Sequence, residues 1–266
     1  MSCANAAALT YNALMYRSRL ATLASLATLA TLTSLIAITS FTSVTSIAQE
    51  PASLRLAVAA NFRAAAEQLG DHFTTNTGVP VQISSASTGV LVAQMRRGAP
   101  FDLLLAADQA RPQALVDDGS SPGPAHCYAL GSLVLLGADS MAALANPAKS
   151  IAIANPRSAP YGAAAMAILA REDFTSASER RIVRGSNVQQ AMQFYSSGGA
   201  ELALVARSLS PSSGLPIPTD WHSRIEQYAV VNARSQQPEN AQAFLDYLLS
   251  PEAAPVLTSL GYQPCS

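Results

Sequence analysis

The sequence predicts an α/β protein of two lobes, each a mostly parallel sheet flanked by helices. Three observations carry that expectation. Continuous apolar stretches of strand length alternate with runs whose apolar residues recur at helical spacing, joined by short connections. The plan is written twice, on either side of a crossing near Tyr128–Leu136. Four strand-to-helix junctions carry small or polar residues, two in each half: Asn61, Ser87-Thr88-Gly89, the loop from Asn155 to Gly162, and Ser186-Asn187-Val188. In open α/β sheets, ligands bind outside the carboxyl ends of the strands. Two such ends facing each other would hold a ligand between the lobes, enclosed by four helix starts, as in a hinged binding protein.

Taken in order, Leu54 to Ala60 is an apolar strand interrupted only by Arg55, and Asn61 is a good N-cap residue. Phe62, Ala65, Ala66, Leu69 and Phe73 mark one face of the following helix. Gly78-Val79-Pro80 turns the chain into a strand over 81–86, and a helix over 90–97 ends at Gly98. Phe101 to Ala107 reads as a buried strand. Asp108 to Gly119 reads as a helix that Asp108 caps; the alternative is that Asp102 and Asp108, which flank the strand, act as a pair. After a Ser-Pro-Gly break come a strand over 128–136 and a helix over 138–146 stopped by Pro147.

The second half begins with a strand over 150–154 and a helix over 163–171. A short strand, 182–184, leads to a capping box with Ser186 at the cap and Gln189 three residues on. That helix runs to Tyr195, and 201–206 is the next strand. The strand over 225–231 returns the chain to the first lobe, and helices over 238–249 and 251–260 finish it. The lobe limits read from this are 49–129 plus 229–266 for the first lobe and 130–228 for the second.

The stretch from Val81 to Asp108 carries the chemistry. Its strand, polar knot and helix place Ser87, Thr88 and Gly89 where a helix start presents unpaired N–H groups and a partial positive charge. Small side chains there let an anion approach the backbone. Tyr161, between Pro160 and Gly162, is a phenol on a constrained turn, or else an aromatic lid over the core. Val188 has only its backbone N–H to offer.

Composition bounds the function. Residues 1–48 hold no Asp or Glu; Arg17 and Arg19 precede a long Leu, Ala, Thr and Ser run closed by Ser46-Ile47-Ala48. This reads as a secretory signal peptide cleaved after Ala48, in preference to a membrane anchor. Met15 would open one of conventional length. No cysteine stands at the cleavage point, so no lipid anchor is expected, and the protein is periplasmic. Arg17 and Arg19 are the only charged residues of the leader, so 14 basic and 17 acidic residues remain after it. With no basic run, nucleic acid is not an expected partner. Cys127 and Cys265 remain beyond the leader, either joined as a disulfide or as two buried thiols.

An enzyme needs a base or a nucleophile. His72, His126 and His222 lie away from the four junctions, and no Gly-x-Ser-x-Gly or phosphate-loop pattern occurs. A site of hydroxyls, amides and backbone reads as binding.

The motifs Ala57-Val58-Ala59-Ala60-Asn61-Phe62, Ser87-Thr88-Gly89, Gly98-Ala99-Pro100-Phe101-Asp102-Leu103 and Ala106-Ala107-Asp108 stand in order along the chain. Asn155-Pro156, Ala159-Pro160-Tyr161-Gly162 and Ser186-Asn187-Val188 follow them. Together they resemble the periplasmic molybdate-binding proteins of ABC importers, over Leu54 to Tyr262. The resemblance implies a type II periplasmic binding protein fold. It implies a monomer that binds molybdate or tungstate, uses no other cofactor, and partners an ABC importer permease. By motif position, Asn61 and Thr88 would donate from one lobe through side chain and backbone. The Tyr161 hydroxyl and the Val188 N–H would donate from the other. All four would contact oxygens of the anion, without direct ligation of its metal. A binding protein of the same fold for sulfate or another anion is the alternative, and an enzyme acting on a small anion is the more distant one.

Overall fold

Two five-stranded sheets organise the computed structural model, which describes residues 53–265; the expected leader and its cleavage point lie outside the described residues. The first sheet is built from β1 (Leu54–Ala59), β2 (Val81–Ala86), β3 (Leu103–Ala106), β4 (His126–Gly131) and β10 (Ile225–Val231), in the order β2-β1-β3-β10-β4. The second contains β5 (Leu133–Leu136), β6 (Ile151–Ala154), β7 (Ile182–Gly185), β8 (Leu202–Ala206) and β9 (Leu215–Pro216), in the order β7-β6-β8-β5-β9. In each sheet a central strand has two parallel neighbours, and the other pairings are antiparallel. The parallel plan read from the sequence therefore holds for β2-β1-β3 and β7-β6-β8. The antiparallel strands are those at which the chain passes between the lobes.

The passages differ from their expected places. The apolar run from Tyr128 to Leu136 is two strands in two sheets, separated at Ser132. The chain leaves the second sheet after Pro216 and enters the first again at Ile225, so the limits expected at 129/130 and 228/229 fall within β4 and β10. Apolar periodicity does not say which sheet a buried strand joins, because both interiors are equally dry.

Helices α1 (Arg63–Thr77), α2 (Thr88–Arg96), α3 (Ala110–Asp117), α6 (Pro238–Leu249) and α7 (Ala254–Ser259) accompany the first sheet, and α4 (Pro160–Leu169) and α5 (Val188–Ser196) the second. Alternation along the strands sends Leu56, Val58, Leu103 and Leu105 to one core with Phe62, Leu69 and Phe244. Ala57 and Leu104 point the other way, to Leu91, Met95 and Leu115. The second lobe packs around Leu133, Ile153 and Leu204. Among the described residues no helix is long and apolar enough to cross a membrane. The helix expected over 138–146 is only a 3-10 turn, Met141–Ala145. Pro147 closes it before a second turn can repay nucleation.

Asp102 and Asp108 are not a pair. Asp102 is fully buried and accepts from the Arg55 N–H at 2.8 Å, the Ser235 hydroxyl at 2.8 Å and the Gln236 N–H at 3.3 Å, tying β3 to β1 and to the C-terminal segment. Asp108 accepts from the Arg111 N–H at 2.9 Å, one residue before the N-cap position of α3, which is Gln109 and not Asp108 as expected.

Cys127 of β4 and Cys265 form a disulfide across 138 residues. Gln263 exchanges two backbone hydrogen bonds with Leu130 beside it, so the C-terminal segment lies along the edge of the first sheet. A crosslink closing so long a loop removes much freedom from the unfolded chain, typically about 2–5 kcal/mol. Reduction, or Cys127→Ser with Cys265→Ser, is therefore expected to lower the melting temperature by roughly 5–15 °C. The leader-processed protein should show no titratable thiol in denaturant until reductant is added.

Candidate functional site

The four junctions meet at one small cavity between the lobes. Asn61, Ser87, Thr88 and Ala107 line it from the first lobe; Tyr161, Asn187 and Val188 line it from the second. All four residues expected from the sequence are present, each 3% exposed or less. The described lining residues carry no charge, and the first turns of α2, α4 and α5 hold no acidic side chain. The unpaired N–H groups and dipoles of these helix starts thus set the local potential, and it is positive.

Asn61 does not cap a helix. The chain leaves β1 through a 3-10 turn, Ala60–Phe62, and α1 begins without a side-chain cap. The Asn61 amide nitrogen donates to the Gln227 side-chain oxygen at 2.8 Å and to the Tyr262 hydroxyl at 2.9 Å. Its carbonyl accepts from the hydroxyls of Ser208 and Tyr262, both at 2.8 Å. Both amide protons are therefore engaged within the protein.

At the second junction, Thr88 is the first residue of α2, and its hydroxyl oxygen accepts from the Ala107 N–H at 3.0 Å. Its own backbone N–H has no acceptor within the helix. Ser87 is 4% exposed, and its hydroxyl is buried without a hydrogen-bond partner. The Gly89 N–H donates across to the Ser158 carbonyl at 2.9 Å, closing the lobes on this side. A Cβ on Gly89 would stand 3.1 Å from that oxygen, so glycine is what allows the approach.

In the second lobe, α4 begins at Pro160, three residues before its expected start. Proline at the first helical position was the available signal. Tyr161 is therefore in the first turn of a helix, and its N–H too lacks an intrahelical acceptor. Its hydroxyl, expected to donate to the anion, is instead turned toward the strands that join the lobes: a Cβ on Gly131 would overlap it. Burial raises the Tyr161 pKa well above its ordinary value, and the neighbouring Tyr262 adds to this; the nearby Asn61 and Gln227 side chains pull it down by less. The phenol stays neutral and able to donate.

The capping box sits one residue later than expected. Asn187 is the cap and accepts from the Gln190 N–H at 2.9 Å, while the Gln190 side chain accepts from the Ser186 N–H at 2.6 Å. Ser-x-x-Gln and Asn-x-x-Gln both fit the sequence, and the Asn choice makes Val188 the first helical residue. Its N–H faces the cavity without an intrahelical acceptor.

Sequence reasoning stopped short of three further partners. Gln227 had a signal, as a neutral polar residue inside a returning apolar strand. Tyr262 followed a glycine at the end of the last helix, and Ser208 had no signal at all. Ser87 and Thr88 are equivalent in the sequence, and only the structure shows that the Ser87 hydroxyl is the uncommitted one. A chamber lined by buried donors and no cation suits a group rich in acceptors.

Residues 54–263 match the family described as bacterial extracellular solute-binding protein. The chain is similar to the molybdate-binding protein ModA of Azotobacter vinelandii, 39% identical over 81% of this chain and 91% of that protein. It is also similar to the ModA of Rhodobacter capsulatus, 36% identical over 77% of this chain and 86% of that protein. The solved structure of the Azotobacter vinelandii periplasmic molybdate-binding protein superposes with a TM-score of 0.75 at 32% identity, covering 80% of this chain and 100% of that one.

The two kinds of lining residue should separate in the ligand-free protein. Asn61→Ala leaves the Gln227 oxygen and the Tyr262 hydroxyl short of partners and is expected to cost about 2–4 kcal/mol in urea unfolding. Ser87→Ala removes a hydroxyl that has no partner, so its unfolding free energy should stay within about 0.5 kcal/mol of the parent.

Proposed function

The chain belongs to the bacterial extracellular solute-binding protein family, and within it we propose that the protein captures molybdate or tungstate and hands it to the permease of an ABC importer. The observation that carries this reading is the convergence of orphan helix-start amides on a cavity without a charged side chain. A fully deprotonated tetrahedral oxyanion is acceptor-only and matches a donor-only chamber. Phosphate at neutral pH retains a proton that such a chamber leaves unpaired. Charge-assisted hydrogen bonds to an anion are roughly twice as strong as neutral ones, so the site can work without arginine. The relatives similar over most of this chain are named as molybdate-binding proteins, which supports the same ligand here.

In this reading the Thr88, Tyr161 and Val188 N–H groups donate to the anion, and the Ser87 hydroxyl adds a further bond. Asn61 contributes from its turn through the backbone, since its side-chain protons are already engaged. The anion's oxygens meet these donors and its metal atom touches no protein group. Binding draws the lobes together, and release follows their opening at the permease. The protein acts as a monomer in the periplasm, after removal of a leader at Ala48, and uses no other cofactor. The Cys127–Cys265 disulfide suits that oxidising compartment. It is not an enzyme in this reading, because the hydroxyls that line the cavity have no His, Asp, Glu or Lys beside them among the described lining residues to act as a base.

Thermal-shift titration with molybdate, tungstate, sulfate and phosphate tests the proposal. A ligand at ~1,000 times its dissociation constant adds about 4 kcal/mol, which is roughly 8–16 °C for a chain of this size. Shifts with molybdate and tungstate and none with sulfate are expected; a shift with sulfate alone would overturn the ligand. Ser87→Ala should weaken binding by about 5- to 100-fold.

Affinity for molybdate should also be level between about pH 7 and pH 9. Tyr161 is the only titratable lining residue, and its raised pKa keeps it protonated throughout. A steep fall within that window, read by calorimetric titration, would show a charged group in the site.

A further inference from the structure

We propose that Gln227 and Gly131, on the neighbouring strands β10 and β4, form a seat that fixes Asn61 and Tyr161 and so sets the geometry of the cavity from outside it. Neither residue lines the cavity, and both belong to strands next to a passage between the lobes. Gln227 is fully buried, in a strand whose register shifts between Gln227 and Tyr228. The extra residue at the shift is Tyr128 of β4, and the Gln227 amide points at the first junction. Its oxygen takes the Asn61 amide proton at 2.8 Å, and its nitrogen donates to the Ile225 carbonyl at 3.2 Å, which fixes which end faces which partner.

Gly131 supplies the other wall. A Cβ there would overlap the Tyr161 hydroxyl and lie 3.0 Å from the Gln227 amide nitrogen. The notch exists because residue 131 has no side chain, and the Tyr161 hydroxyl occupies it. Tyr161 belongs to α4 of the second lobe, whereas Asn61, Gln227 and Gly131 belong to the first. The seat therefore joins a donor turn of one lobe to a helix start of the other. The Tyr161 ring is the strut between this seat and the first turn of α4, which borders the cavity.

This inference rests on the proposed oxyanion function. The titratable groups packed on the buried side of the seat are Tyr128, Tyr161 and Tyr262, each with pKa raised mainly by burial, and Asp220, His222 and Arg224 line the open cleft on the other side of Gly131. Gln227→Glu makes the seat titratable at nearly constant shape. While protonated, the new carboxyl can still accept from Asn61. Once ionised, it sets a negative charge beside the cavity and competes for the Tyr161 proton.

The test is calorimetric titration of the purified protein with molybdate from pH 5 to pH 9, with urea unfolding of each variant as a check on folding. Affinity of Gln227→Glu is expected to fall about tenfold per pH unit above the pKa of the new carboxyl, where the parent is level between pH 7 and pH 9. A purely structural role for Gln227 would give no such profile. Gly131→Ala fills the notch and does not depend on the tolerance of a buried carboxyl. It is expected to bind about 10- to 100-fold more weakly at every pH, and to lose about 1–3 kcal/mol in ligand-free urea unfolding while remaining folded. Parental affinity in either variant over the whole range overturns the seat. Absence of molybdate binding by the unsubstituted protein overturns the proposed function, and this inference with it.

Discussion

The constraint on which the structure turns is that buried N–H groups at helix starts must find acceptors. An α-helix leaves its first amides without internal partners, and a buried amide left unpaired costs about 1–3 kcal/mol. Three helices of this chain begin at one cavity, at Thr88, Pro160 and Val188. Away from the cavity Asp108 takes the Arg111 N–H, and at the cavity Asn187 takes that of Gln190. The other side chains beside these helix starts leave the amides open. Thr88 accepts from Ala107, Asn61 faces Gln227 and Tyr262, and Ser87 forms no cap bond. The donors are left over because their neighbours are spent on holding the frame.

That division explains why one residue type does different work at successive junctions. Asn61 is a structural hub whose side chain and carbonyl reach residues 147, 166 and 201 positions away. It binds segments that no local propensity would bring together. Phe62 beside it packs edge-on against Tyr128 and Tyr262, so turn and core are fixed in one place. Ser87 is the reverse case, a side chain with no structural partner at the focus of the site. Hydrogen-bond bookkeeping separates the two where residue type cannot.

Much of this was legible in the sequence, and the rest was hidden for definable reasons. The strands, most helices and the four junctions follow from apolar period and from the places where small polar residues interrupt it. The early start of α4 was written in Ala159-Pro160, because proline at a first helical position is favoured. The one-residue shift of the capping box was not, since Ser186 and Asn187 are both good caps and each has a glutamine three residues on. The split at Ser132 is a question of which sheet completes which, and that is decided by pairings distant in sequence. Gln227 and Tyr262 act on Asn61 from across the chain, and no local pattern encodes such a contact. The disulfide had two readings in the sequence, and the lie of Gln263 along Leu130 is what brings the two cysteines together.

A cavity polarised by backbone alone differs in kind from one polarised by a cation. Arg111 borders a neighbouring cleft between the lobes, but Asp108 neutralises it at 2.7 Å, and its other nitrogen donates to the Arg157 carbonyl. The field in the site thus comes from peptide dipoles, which neither titrate nor swing on a flexible stem. Such a field is only as good as the placement of the helix starts, because its effect fades within the first turn. A lysine could follow a displaced anion; the Val188 N–H cannot. Placement therefore has to be set by rigid parts of the frame. The candidates are the groups that cross from one lobe to the other: the Gly89–Ser158 bond, the Ser208–Asn61 bond, and the Tyr161 hydroxyl against Gly131. Two of the three end at Asn61 or on the strand leading out of the first lobe. The geometry of a charge-free site is in this way delegated to the strands that join its halves.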